Sequence, residues 1–284
     1  MHIPFTKMQS LGNDFIVIDT ITHNFLPSKD LISRIADRHF GIGCDQVLLL
    51  HRSNLSISDV DFVYQIFNAD GSEAYQCGNG VRCLAKFVKI QGISDKEQLI
   101  FATKTIKTKT LLKNNGLVTA VTVGPSFEPK NIPIMAEVQS LRYSLQLATG
   151  EKIKIGAVSI GNPHAIILVD DITTAPVEIL GPLISNHKIF PEQANVNFMR
   201  VLDSGLIELR VYERGSGETL ACGSGACASV VVGRLWGFLD SKVVVKLCGG
   251  NLFVEWSEVG NNIAVTGPVE QVFMGEIIYE KKEC

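Results

Sequence analysis

The chain has 284 residues, of which 46% are hydrophobic, and a formal net charge of −3, which is enough for two ordinary domains with real cores. Its charges are mixed in sign, with no basic block beyond "TKTIKTKT" at 103–110, whose lysines suit the solvated side of a strand; this argues against a nucleic-acid partner. No run approaches the roughly 18 apolar residues of a membrane span, and "MHIPFTKMQS" lacks the apolar core of a signal peptide, so a cytoplasmic protein is expected, with its seven cysteines as free thiols.

In chain order, strands are predicted at "DFIVID", "QVLLLH", "FVYQIF", "LIFATKTI", "LVTAVTV", "HAIILVD", "VNFMRV", "LIELRVY", "KVVVKL" and "NLFVEW", each short, rich in β-branched residues and bounded by polar or glycine turns. Three helices are predicted. The first starts at the N-cap candidate Ser28, carries Leu31, Ile32, Ile35 and Ala36 on one face and stops before Gly41. The other two open at "QCGNGVRC" and "ACGSGAC". The second of these is apolar almost all round, as suits a helix buried inside a wrapped sheet. The fold class is α+β with much strand.

The two cysteine phrases belong to a longer internal repeat. Cys77 and Cys222 stand 145 residues apart, and at that offset Phe67 matches Tyr212, Glu73 matches Glu218, Gly78 matches Gly223 and Gly80 matches Gly225. "GNDFIVID" from Gly12 matches "GNPHAIILVD" from Gly161 at an offset of 149, where Gln46 and Val47 also match Asn195 and Val196. Two pseudo-symmetric domains follow, residues 1–122 and 123–267, with the break near the proline-bearing "GPSFEPKNIP" and an active site in the cleft between them.

Glycines beside each cysteine let a ligand approach the backbone, and the first turn of a helix offers unpaired N–H groups with partial positive charge. A carboxylate fits there. The same helix ends are expected to lower thiol pKa values. Two thiols on opposite faces of one carboxylate-bearing carbon make a two-base racemase, in which one thiolate removes the α-proton and the other thiol returns a proton to the opposite face. That chemistry needs neither a metal nor an organic cofactor. Cys44, Cys83, Cys227, Cys248 and Cys284 read as ordinary thiols, and the cysteine spacings fit a zinc site poorly.

The order "LGNDF", "GCDQ", "FNADGSEAYQCGNGVRC", "GNPH", "ANVNF" and "ERGSGETLACGSG" resembles the diaminopimelate epimerase family over nearly the whole chain. The resemblance implies a cofactor-independent isomerase of lysine and peptidoglycan-precursor biosynthesis that interconverts LL- and meso-diaminopimelate, with Cys77 and Cys222 as the acid/base pair. It implies substrate binding by Asn13, Gln46, Asn68, Asn162, Asn195, Glu213 and Arg214, helped by Gly78-Asn79 and Gly223-Ser224, with His164 and Glu213 supporting the chemistry. It also implies a homodimer, a central hydrophobic helix within each domain's sheet, and a C-terminal segment, residues 268–284, that returns to the first domain. The alternatives are a related two-cysteine racemase acting on a proline-like amino acid, a thiol-redox or metal-binding protein, and a noncatalytic binding protein.

Overall fold

A computed structural model describes residues 2–23, 25–53 and 59–278; Cys284 lies outside them. The chain divides into two compact units, one running to Ala120 and resuming at Gly267, the other spanning Val121–Thr266. Among the described residues there are eighteen strands and four helices, and no helix is long and apolar enough to cross a membrane.

The first unit holds β1 (His2–Ser10), β2 (Asn13–Asp19), α1 (Lys29–Ala36), β3 (Gln46–Arg52), β4 (Phe62–Asn68), β5 (Glu73–Ala74), α2 (Gly78–Ile90), β6 (Gln98–Ala102) and β7 (Lys107–Leu112). The chain leaves it within β8 (Val118–Thr122). The second unit holds β9 (Tyr143–Gln146), β10 (Lys152–Ser159), β11 (Pro163–Leu168), α3 (Val177–Ser185), β12 (Asn195–Asp203), β13 (Leu206–Glu213), β14 (Gly217–Thr219), α4 (Gly223–Leu235), β15 (Lys242–Leu247) and β16 (Gly250–Glu255). The chain leaves it within β17 (Ile263–Gly267), and β18 (Glu270–Ile278) pairs antiparallel with β1.

The pairing pattern repeats. β1–β2 is antiparallel, β2–β3 parallel, β3–β4 and β4–β5 antiparallel, β4–β6 parallel and β6–β7 antiparallel. The sequence β10–β11, β11–β12, β12–β13, β13–β14, β13–β15, β15–β16 has the same senses in the same order. The repeated Gly-Asn has a backbone cause. Ser10 faces Asn13 across a two-residue turn in which Leu11 and Gly12 both have positive φ (56° and 85°), the type I′ geometry whose twist matches the strands it joins. Gly161, between β10 and β11, sits at φ 86°, a conformation that costs little only for glycine.

Each sheet packs on one central helix. α2 buries Val81, Cys83, Leu84, Ala85, Phe87 and Val88 among Phe15, Leu48, Ile66 and Phe101. α4 is buried continuously from Gly225 to Gly233, so its apolar circumference does make a helix enclosed by sheet. α1 starts as expected, with the Ser28 hydroxyl accepting from the Leu31 N–H at 3.3 Å.

The structure departs from the sequence expectation at one helix and at several strands, β1 and β10 among them. α3 was not anticipated, because Gly181 and Pro182 lie inside it and proline removes a helix hydrogen bond; it forms because Val177, Gly181 and Ile184 are buried, with Gly181 too close to Tyr212 for any larger residue. The strand in "LIFATKTI" stops at Ala102, since the Thr103 N–H donates to the Ile106 carbonyl in a turn, and β7 begins only at Lys107. β1 escaped notice because Pro4, Lys7 and Gln9 interrupt its apolar pattern, yet β1 lies between β18 and β2. β10 alternates cleanly only at its start, and its Gly156 leaves room for Val232 and Trp236.

Ser28→Ala removes a side-chain cap and is expected to lower the unfolding free energy by about 1 kcal/mol, read as a shifted denaturant midpoint, whereas Ser28→Asp should retain most of it.

Candidate active site

The two cysteines occupy the same local position. Cys77 is the N-cap of α2 and its Sγ accepts from the Gly80 N–H at 3.3 Å; Cys222 is the N-cap of α4 and its Sγ accepts from the Gly225 N–H at 3.4 Å. In both, sulfur does the work that a serine or aspartate oxygen does at ordinary helix starts, so each thiol sits on the positive end of a helix. Packing within the protein favours the glycine that follows by three: a Cβ on Gly80 would stand 3.3 Å from Leu48 and Phe15, and one on Gly225 would stand 2.5 Å from Asn197 Oδ1. It does not demand Gly78, where a Cβ would meet nothing within 4 Å.

In the first unit, Asn13 opens β2, Gln46 opens β3 and Asn68 closes β4, so all three lie at one end of the sheet. Gln46 and Asn68 are cross-strand partners, with Gln46 Nε2 donating to Asn68 Oδ1 at 3.0 Å. Asn13 Oδ1 lies 3.8 Å from Cys77 Sγ. Its orientation is set from two sides. Arg82, fully buried and able only to donate, gives N–H groups to Asn79 Oδ1 (2.6 Å), Ser10 Oγ (2.8 Å) and the Gly78 carbonyl (3.2 Å). Asn79 must then turn its Nδ2 to Asn13 Oδ1 (3.3 Å). At the other end the Asp45 carboxylate, able only to accept, takes Asn13 Nδ2 at 2.9 Å. Arg38 bridges Asp45 and Asp14 at 2.9 and 2.8 Å, and Lys7 pairs with Asp14 at 2.7 Å. Burial raises the Asp14 pKa, but Arg38 and Lys7 outweigh it and hold the carboxyl down to about 2.

In the second unit, Asn162 precedes β11, His164 lies on it, Asn195 opens β12, and Glu213 closes β13. His164 is wholly buried. Its Nε2 lies 3.1 Å from Asn162 Oδ1, and its Nδ1 lies 3.2 Å from Asn197 Nδ2. Asn162 Nδ2 donates to Ser224 Oγ at 3.3 Å, and Ser224 Oγ is 3.5 Å from Cys222 Sγ. Asn195 Oδ1 accepts from the Arg214 backbone N–H at 3.0 Å, while the exposed Arg214 guanidinium donates to the Glu192 carbonyl at 3.0 Å. Thr219 Oγ1 donates to Glu213 Oε1 at 2.6 Å. Thus Asn162, His164, Asn195, Ser224 and Cys222 are brought into one hydrogen-bonded group, and Arg214 is tied to it through its backbone.

One electrostatic expectation is overturned. The Cys222 thiol is 4% exposed, and its pKa is raised well above the usual thiol value, first by burial and then by the Glu213 carboxylate, against a downward pull from Ser224 and the Gly225 N–H. Loss of hydration outweighs the helix end at this sulfur. Two members of these groups, Arg82 and Asn197, were passed over in the sequence. The signal for Asn197 was present, because "NVN" puts it on the same strand face as Asn195. The other described cysteines are unremarkable thiols: burial pushes Cys44 up to about 12 and Cys83 higher still.

A family model described as diaminopimelate epimerase matches residues 5–127 and 156–272. The chain belongs to the diaminopimelate epimerase family. A diaminopimelate epimerase from Alkalilimnicola ehrlichii (strain ATCC BAA-1101 / DSM 17681 / MLHE-1) is 50% identical over 98% of this chain and 99% of its own length. Similar solved structures include a probable proline racemase from Agrobacterium radiobacter K84 with bound carbonate (TM-score 0.71, 14% identity, 98% of this chain and 93% of that one). A hydroxyproline epimerase from Agrobacterium vitis with bound trans-4-hydroxy-L-proline is also similar (TM-score 0.69, 14% identity, 97% and 92%), as is a phenazine biosynthesis protein of the PhzF family from Bacillus anthracis (TM-score 0.68, 17% identity, 98% and 100%). At these identities the structural likeness concerns the two-domain fold. Members of the diaminopimelate epimerase family are isomerases of amino-acid stereochemistry, and the chain is one of them.

The buried His164 supplies a pH test. Burial, reinforced by the charge of Arg214, pushes its pKa down to about 3, while an unfolded histidine titrates near about 6.5. Between those values the unfolded chain binds the extra proton, so stability is lost as pH falls. From about pH 7.5 to about pH 5, the wild type is expected to lose about 2 kcal/mol more unfolding free energy than His164→Gln, measured by denaturant titration at both pH values.

Proposed function

We propose that the chain epimerises LL-2,6-diaminopimelate to meso-diaminopimelate without a cofactor, in lysine and peptidoglycan-precursor biosynthesis, with Cys77 and Cys222 as the two bases. The observation that carries this reading is the duplicated cap: in a chain of this family, two cysteines head two equivalent helices in repeated units, each sulfur already receiving a backbone N–H. The thiolate of one cysteine takes the α-proton. The carbon–hydrogen electron pair delocalises toward the α-carboxylate, whose growing charge the first-turn N–H groups at Gly78-Asn79 and Gly223-Ser224 stabilise. The thiol of the other cysteine then protonates the opposite face. The stereocentre inverts, the first cysteine ends as thiol and the second as thiolate, and the reverse reaction exchanges the roles.

The raised pKa of Cys222 suits a group that begins as the proton donor, and Glu213 beside it suits the task of restoring the proton balance between turnovers. Asn13, Gln46, Asn68, Asn162 and Asn195 supply amides for the ammonium and carboxylate groups. Arg214 suits the carboxylate of the unreacting amino-acid head, because a guanidinium offers two parallel donors to a carboxylate. We also infer that the enzyme works in the cytoplasm as a homodimer, as its resemblance to the family implies; sedimentation at working concentration tests the assembly.

In deuterated water, deuterium from solvent should enter the meso product made from LL-diaminopimelate. Cys77→Ala and Cys222→Ala should abolish epimerisation, while Cys248→Ser, at an exposed thiol that caps neither helix, should leave it intact; near-wild-type turnover in either cap variant would refute the two-base assignment. Arg214→Met should lower kcat/KM for diaminopimelate by about thirtyfold or more, the consequence of losing about 2 kcal/mol or more from a charge-paired contact, and steady-state kinetics on the two variants measures it.

A further inference from the structure

The repeat exposes a difference beneath the two helix mouths. At the offset that matches Gly12 to Gly161, Phe15 corresponds to His164 and Leu48 to Asn197, and the strand registers agree, with Phe15 opposite Gln46 and His164 opposite Asn195. Under Gly80 the space is filled by the apolar pair Phe15 and Leu48; under Gly225 the corresponding pair is polar, and Asn197 Oδ1 is the nearest atom. Both polar side chains are wholly buried. Polar groups in a dry core are costly unless their hydrogen bonds are arranged; Asn197 Oδ1 has no hydrogen-bond partner among the described residues, but the bonds its Nδ2 makes have a direction.

Asn197 Nδ2 donates to the Ala165 carbonyl at 3.0 Å. A carbonyl accepts only, so the amide cannot be flipped, and the same Nδ2 is also presented to His164 Nδ1. A neutral imidazole carries one N–H; with Nδ1 accepting, the proton is on Nε2, which donates to Asn162 Oδ1. The Asn195 Nδ2 that also approaches Nε2 has its own acceptor in the Pro163 carbonyl at 3.3 Å. Asn162, held by its oxygen, must offer Nδ2 to Ser224 Oγ, which leaves the Ser224 hydroxyl proton free to point to Cys222 Sγ 3.5 Å away.

Resting on the reading of Cys222 as one of the two acid/base groups, we propose that Asn197 is a positioning residue for it: anchored by the Ala165 carbonyl, Asn197 holds His164 in the Nε2–H tautomer, and the relay through Asn162 and Ser224 delivers a hydroxyl donor to the Cys222 sulfur. The first unit has no such relay because Phe15 and Leu48 stand in its place.

The test has an arm independent of catalysis. In protein labelled with ¹⁵N-histidine, with the His164 signals identified by their loss in His164→Gln, Nε2 should be pyrrole-like and Nδ1 pyridine-like; the opposite tautomer overturns the proposal whatever reaction the protein performs. Asn197→Asp places an acceptor against Nδ1, so Nδ1 should become protonated. Alkylation of Cys222, followed by mass spectrometry, should then slow while that of Cys77 is unchanged, and kcat should fall by about tenfold or more with a smaller change in KM. An unchanged tautomer and unchanged Cys222 alkylation in Asn197→Asp would overturn it. Absence of epimerisation in the wild type would defeat the reading of function but leave the tautomer and alkylation results standing.

Discussion

A helix that begins inside a protein must find acceptors for its first N–H groups, and α2 and α4 find one of theirs in a cysteine sulfur. Much else follows from that single contact. To cap a helix, the sulfur must lie at the helix mouth, where partial positive charge collects. For the cap to close, the third helical residue must approach the underlying strands, which is why a Cβ would be tight at Gly80 and would collide with Asn197 Oδ1 at Gly225. The structural duty of the thiol and its chemical opportunity therefore arise from the same geometry.

Around the caps, amide side chains are oriented by groups that can act in only one direction. In the first unit a donor-only guanidinium, Arg82, and an acceptor-only carboxylate, Asp45, fix Asn79 and Asn13 between them. In the second, a backbone carbonyl plays the acceptor-only part at Asn197. An asparagine amide is otherwise free to present either end, so such anchors convert a flexible residue type into one that offers a defined atom to a sulfur or a substrate. The two units reach this result with different chemistry.

The local electrostatics separate the two sites further. Cys222 is almost fully buried and faces Glu213, and both factors favour its thiol form; Cys77 is only half-buried, on the helix that carries the buried Arg82. A helix dipole acts on both sulfurs, but its effect is modest beside the cost of stripping water from a thiolate.

The sequence by itself determined the α+β class, the duplication, the two helices headed by cysteine and the group of asparagines near them. Those features depend on local rules: glycine where φ must be positive, β-branched runs for strands, and a repeated phrase that encodes a repeated backbone. What it left undetermined depends on which atoms face one another across strands. The helix at Val177–Ser185 forms despite Pro182 because tertiary burial overrides local preference. Arg82 looks like any helix charge until the fold encloses it, and Asn197 like any strand asparagine until His164 is set opposite. The rise in the Cys222 pKa comes first from burial and then from the Glu213 carboxylate set beside it. Hydrogen-bond direction and desolvation are properties of assembled neighbours, so only the tertiary structure decided them.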